Sequence, residues 1–171
     1  MSKNQGKQFE EDLMKSCVKQ KIFYDRIKDT FIPPDLRDRV FVSKNKFDNY
    51  IFKDGWLFPL ELKSSGQKSI SFDEKIIKQH QVDSLYEATK YNDQIIPGFL
   101  FNFREYGNQT YFVHILDFLE YKNSTGRKSI SLEVCSQKGV QVQNKILIKH
   151  YEYNILEFIR DAVHRYSSGR G

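Results

Sequence analysis

The chain has 171 residues, 27 Lys and Arg against 22 Asp and Glu, a formal charge of +5 and 39% apolar residues, the proportions of one globular domain spanning 1–171. Aromatics at 15%, with only 9 Gly and 4 Pro, exclude collagen-like and disordered chains, and no apolar run approaches the roughly 20 residues that cross a bilayer. The polar start lacks the apolar stretch of a secretory signal and two cysteines, Cys17 and Cys135, make no disulfide framework, so a reducing, cytoplasmic setting is expected and the glycosylation-like triplets at Asn108 and Asn123 carry no weight.

Phe9, Leu13, Met14, Cys17 and Val18 recur at three- and four-residue steps and predict a helix over 8–21, with Ser2 or Asn4 as its cap. A short apolar patch, Ile22-Phe-Tyr, leads into a charged stretch broken by Pro33-Pro34, read as an excursion over about 27–46. Residues 41–53 and 56–63 are β-favouring, and Asp54-Gly55 between them predicts a hairpin. A second helix is expected over about 73–90, capped by Asp73. Two aromatic runs, 98–103 and 110–115, form a second hairpin and bring the sheet to four strands. A brief helix at 117–121, an extended or irregular stretch at 140–148, a last helix at 153–166 and a frayed tail at 167–171 complete the order α-β-β-α-β-β-α.

Charge is unevenly placed. Residues 1–120 hold 18 bases and 18 acids and residues 151–171 hold 3 of each, so the excess lies in 121–150, where six bases face only Glu133. Such a segment suits either a polyanion or water.

The chemistry-bearing feature is Leu60-Glu61-Leu62-Lys63. Strand alternation puts Glu61 and Lys63 on one sheet face, and folding at Asp54-Gly55 returns Glu61 beside Asp48, nearly equidistant from the turn. Leu60 and Leu62 imply a buried opposite face, with the charged face kept polar. Two carboxylates and an ammonium are what divalent-metal phosphodiester hydrolysis requires, although Glu-x-Lys equally suits an ordinary cross-face ion pair. Glu10 shares the apolar face of the first helix and would aim at the sheet, while Glu11 could fill the same role; Gln81 on the second helix could orient water, although a helix glutamine ordinarily faces solvent. No Gly-rich phosphate loop, Cys-x-x-Cys pair, zinc-like spacing of His80, His114, His150 and His164, or G-x-S-x-G element is present, which argues against nucleotide, zinc, thiol and serine chemistry.

Asp48…Glu61-x-Lys63 behind a helix bearing Glu10 resembles the PD-(D/E)xK nuclease constellation. More closely, Asn4-Gln-Gly6, Phe9-Glu-Glu-Asp-Leu13, the step from Asp48 to Glu61, Ser71-Phe72 with His80-Gln81, and Gly126-Arg-Lys-Ser-Ile130 resemble the RecU family of Holliday junction resolvases of low-GC Gram-positive bacteria and their phages. The resemblance implies a restriction-endonuclease-like α/β fold, a mixed sheet flanked by helices, and a homodimer that cuts four-way DNA by paired symmetric incisions. It implies that Asp48, Glu61 and the Leu62 carbonyl hold Mg²⁺ or Mn²⁺, that Lys63 handles the hydrolytic water and that Glu10 and Gln81 complete the site. The stalk-like excursion and N-terminal arm are short, as expected of a compact phage-encoded member. Lys7, Arg37, Arg39, Arg127, Lys128, Lys138 and Lys145 are the expected DNA contacts. The rivals are a less selective nicking or flap nuclease and a non-catalytic junction-binding recombination accessory.

Overall fold

A computed structural model describes residues 4–28, 30–42 and 45–167; the cap read at Ser2 and most of the tail, 168–171, lie outside them. Its centre is a six-stranded mixed sheet in the order β1 (Phe23–Arg26), β2 (Asn49–Lys53), β3 (Trp56–Ser65), β5 (Gly98–Phe103), β6 (Gln109–His114), β8 (Val140–Gln141). The β3–β5 pair is parallel and the other neighbours are antiparallel.

Strand alternation separates two cores. On one face Ile51, Phe58, Leu60, Leu100 and Phe112 meet Phe9, Leu13 and Cys17 of α1 (Asn4–Lys19) and Phe158, Ile159 and Ala162 of α5 (Ile155–Ser167). On the other, Phe99, Phe101, Tyr111 and Val113 meet Val82 and Leu85 of α2 (Gln79–Ala88), Phe118 and Tyr121 of α3 (Ile115–Thr125) and Cys135 of α4 (Leu132–Lys138). The result is the expected α/β architecture, a mixed sheet between two helical layers. Met14 and Val18, placed on the apolar stripe of α1 by their spacing, are exposed.

Several elements differ from the sequence reading. The sheet has six strands rather than four: β1 and β8, of four and two residues, are too short to show a period. Two three-residue segments, β4 (Ser69–Ser71) and β7 (Ser129–Ser131), pair as a separate ribbon. The stretch 140–148 supplies β8 and β9 (Asn144–Leu147), and β9 folds back onto β10 (His150–Tyr153). Strand β2 starts at Asn49, not near residue 41. Helix α2 starts at Gln79 because Asp73 caps a turn of its own: its carboxylate accepts from the Lys75 N–H at 2.8 Å and its carbonyl from the N–H groups of Ile76 and Ile77. Helix α3 runs through to Thr125 and stops at Gly126, which takes the left-handed conformation. Among its described residues the excursion holds a single 3-10 turn, Pro34–Leu36.

Candidate active site

The site forms where β2 and β3 part. Their ladder runs from Lys53–Trp56 to Asn49–Leu60, so the residues of β3 beyond Leu60 have no partner on that side, and Asp48 lies one step past the last pair, opposite Glu61. The backbone N–H of Asp48 donates to Glu61 Oε1 at 3.2 Å. Two residues on, Lys63 Nζ lies 3.5 Å from Glu61 Oε2, as a two-residue side-chain period requires.

Helix α2 closes the group from above. Gln81 Nε2 donates to Glu61 Oε2 at 2.5 Å, and Gln81 Oε1 accepts from Lys63 Nζ at 3.0 Å and from the Lys78 N–H at 3.2 Å. Gln81 therefore faces inward, against the habit of helix glutamines, and is buried. The face expected to be kept polar is also enclosed. Glu61 is only 1% exposed, and its strand partners across the parallel ladder are Phe99 for Glu61 and Phe101 for Lys63, so the charged pair is set into the edge of an apolar layer.

Burial dominates the electrostatics. It pushes the Glu61 carboxyl well above the usual glutamate range, a hydrogen bond to the Asp48 carboxyl and the like charge of Asp48 push the same way, and Lys63 only partly offsets them. Glu10 is raised as well, first by burial and further by Asp48, with Arg26, Lys63 and Lys7 opposing. Glu10 is thus in the field of both Asp48 and Lys63, whereas Glu11 points to solvent; of the two helix acids, Glu10 joins the site. Its Oε2 is buried without a hydrogen bond and lies 3.1 Å from Arg26 Nε.

Sequence reasoning missed Arg26 and, beside it, Tyr24 and Asn49. The Tyr24 hydroxyl donates to Asn49 Oδ1 at 2.5 Å, and Asn49 Nδ2 is buried without a partner. The alternation Tyr24, Arg26 after an apolar patch was the available sign of a strand.

Among the described residues no group of three or more His, Cys, Asp or Glu side chains is arranged to hold a metal ion. The paired donors are two carboxylates, Asp48 and Glu61, with the Leu62 carbonyl in the stretch of β3 that β2 leaves unpaired. That donor set fits Mg²⁺, which takes one or two carboxylates and keeps several waters, and a buried carboxyl beside a half-buried one, with one lysine, is a site where added positive charge is favourable.

The expected DNA contacts divide. Lys7, Arg37, Arg39, Arg127 and Lys128 are exposed, the last two on the turn after α3. Lys138 Nζ lies 3.1 Å from Glu120 Oε2 and Lys145 Nζ lies 3.2 Å from Glu152 Oε1. The basic segment is therefore opposed by more than Glu133, because acids just outside it in sequence fold against it.

No family model matches the chain. Among solved structures, Archaeoglobus fulgidus Hjc, a Holliday junction resolvase from an archaeal hyperthermophile, matches with a TM-score of 0.51 over 79% of this chain and 94% of that one, at 13% identity; the likeness is one of fold. Among curated proteins, the SPbeta prophage-derived uncharacterized protein YotM of Bacillus subtilis (strain 168) is 44% identical over 177 residues, spanning 96% of this chain and 90% of that protein. Similarity of that degree along nearly the whole of both chains makes this protein a member of the YotM family.

Proposed function

We propose that the chain is a Mg²⁺- or Mn²⁺-dependent endodeoxyribonuclease that resolves Holliday junctions and related branched DNA as a homodimer, each subunit cutting one of two strands of like polarity. The observation that carries this reading is the meeting of Asp48, Glu61 and Lys63 where β2 and β3 diverge, capped by Gln81. The Hjc-like fold supports the same substrate class.

Asp48, Glu61 and the Leu62 carbonyl would hold the cation, which when bound supplies Lewis-acid stabilisation of charge at phosphorus and lowers the pKa of a water. The chain's own residues do the rest. Lys63, anchored by Gln81 and Glu61, holds an ammonium within the site, where it can orient a water or offset charge on a phosphate oxygen. Gln81 fixes both partners at once, and Phe99 and Phe101 behind them limit the approach of other water. Glu10 adds an acceptor at the rim. Arg127 and Lys128 would hold DNA phosphates at a distance, and weaker binding at higher salt follows.

The test is incubation with four-way, flap and linear DNA side by side, with and without Mg²⁺. Asp48→Ala and Lys63→Ala should each keep junction binding while abolishing Mg²⁺-dependent incision. Cutting of linear duplex as readily as junctions would favour the less selective nuclease. Binding without cutting in either metal would leave a junction-binding accessory.

A further inference from the structure

The β9–β10 hairpin ends in three exposed aliphatic side chains: Ile146 is 64% exposed, Leu147 45% and Ile148 95%. Leu147 pairs with His150, so the loop is Ile148 and Lys149 alone, and Ile148 takes φ +54°. In two-residue hairpin loops a positive φ at the first central residue is ordinarily the place of glycine, and a β-branched residue there is strained. Neither burial nor backbone preference explains an isoleucine at this point.

Along the chain the residues around the tip are basic, while in space Asp12 and Glu152 lie against two of them. Lys145, Lys149 and His150 flank it, and no Asp or Glu occurs between Glu133 and Glu152. Glu152 is shared between Lys19 and Lys145. The tip is also fixed to the helix that carries Glu10. Gln8 Nε2 donates to the Lys149 carbonyl at 2.7 Å, His150 Nδ1 lies 2.8 Å from Asp12 Oδ1, and the Tyr151 N–H donates to Asp12 Oδ2 at 3.0 Å. Gln8 and Glu10 are two residues apart on α1 and so lie on opposite flanks of a helix about 10 Å across.

We infer that this tip is an apolar wedge that enters the base stack of branched DNA on the side of α1 opposite Glu10. Driving aliphatic side chains between bases costs unstacking, and the cost is least where stacking is already interrupted; a wedge therefore favours a branch point over a continuous duplex. Lys149 in the loop itself suits an adjoining phosphate. A second copy of the chain is the poorer occupant, because three aliphatic side chains fall far short of the about 800 Å² per partner of a stable interface and the lysines of two tips would repel. The inference rests on the proposed function for its substrate class and adds a source of structure selectivity that the short excursion does not supply.

The test places 2-aminopurine at the branch of a four-way junction and, separately, in a linear duplex of the same sequence, with EDTA present so that nothing is cut. Wild type should brighten the junction several-fold and the duplex little. Ile148→Gly suits the turn and should raise Tm by about 2–4 °C, which separates its effect on DNA from any loss of fold. This variant and Leu147→Ser should lose most of the brightening and about tenfold in junction affinity, with duplex affinity changed by less than about twofold. A responsive wild type with both variants unchanged overturns the wedge and leaves the nuclease reading intact. Variants that turn a wild-type dimer into monomers in sedimentation overturn it in favour of a second copy. A wild type that brightens junctions, loses this in the variants and never cuts with Mg²⁺ supports the wedge and removes the nuclease reading. A wild type that binds no branched DNA removes both.

Discussion

Glu61→Gln separates what Glu61 does for chemistry from what it costs the fold. The carboxyl is 1% exposed, accepts from the Asp48 N–H and from Gln81 Nε2, and shares its hydrogen-bonding region with the Asp48 carboxyl. A carboxamide keeps the acceptor toward Gln81 and turns its NH₂ to the Asp48 carboxyl, giving up only the 3.2 Å bond accepted from the Asp48 N–H, while removing a buried negative charge. Glu61 is raised above its ordinary value of 4.5, so the folded state binds the proton more tightly than the unfolded chain. Its contribution to stability is complete below pH 4.5 and is lost as pH rises toward the folded value. Each pH unit inside that window costs up to about 1.4 kcal/mol; between pH 5 and 7 the metal-free wild type should therefore lose up to about 3 kcal/mol relative to the variant. At pH 7 this puts the variant level with wild type or higher by a few degrees in Tm, while Mg²⁺-dependent cleavage falls by about 10²-fold or more. The assay is thermal unfolding in EDTA at pH 5, 6 and 7 beside cleavage of four-way DNA. A wild-type-to-variant difference without a pH slope, or a variant less stable by more than about 1 kcal/mol at pH 7, would refute the electrostatic account of the site.

Gln81→Leu strips a buried donor from Glu61 and a buried acceptor from Lys63; unfolding titrations should show a loss of about 1–3 kcal/mol, with cleavage down about 10–100-fold. Arg127→Ala and Lys128→Ala should each lower the salt slope of junction binding by about 1, and Lys138→Ala, whose ammonium is held by Glu120, by clearly less; the reverse order would mean that the ion pair opens on DNA. Burial pushes the Cys17 thiol up to about 12 and raises Cys135 in the same way, so at pH 8 neither should react with a thiol reagent until the protein is unfolded. Rapid modification of either in the native state would contradict its burial.

The central hairpin was legible because its signals are local. Asp54-Gly55 marks the turn, and a turn of known position fixes register, so Asp48 falls opposite Glu61 by counting alone; alternation then places Lys63 on the same face. The aromatic runs of β5 and β6 and the stripe of α5 are equally local. The elements that went unread are short: β1, β4, β7, β10 and α4 have three to seven residues, fewer than a period needs, and each is held by its neighbours rather than by its own propensity. Asp73 misled because a turn cap and a helix cap use the same side-chain chemistry.

What the sequence determined by itself is therefore the chemistry available, namely which acids and which amine share a hairpin, because that depends on separations along the chain. The tertiary structure decided how those groups are electrically set. Only the descent of α2 onto β3 turns Gln81 inward and buries Glu61, only the pairing of β1 with β2 brings Arg26 to Glu10, and only the folding of Glu120 and Glu152 onto the basic segment occupies Lys138 and Lys145. Desolvation and charge pairing act through space over a few ångströms, and contacts of that kind between residues far apart in the chain leave no periodic trace in its sequence.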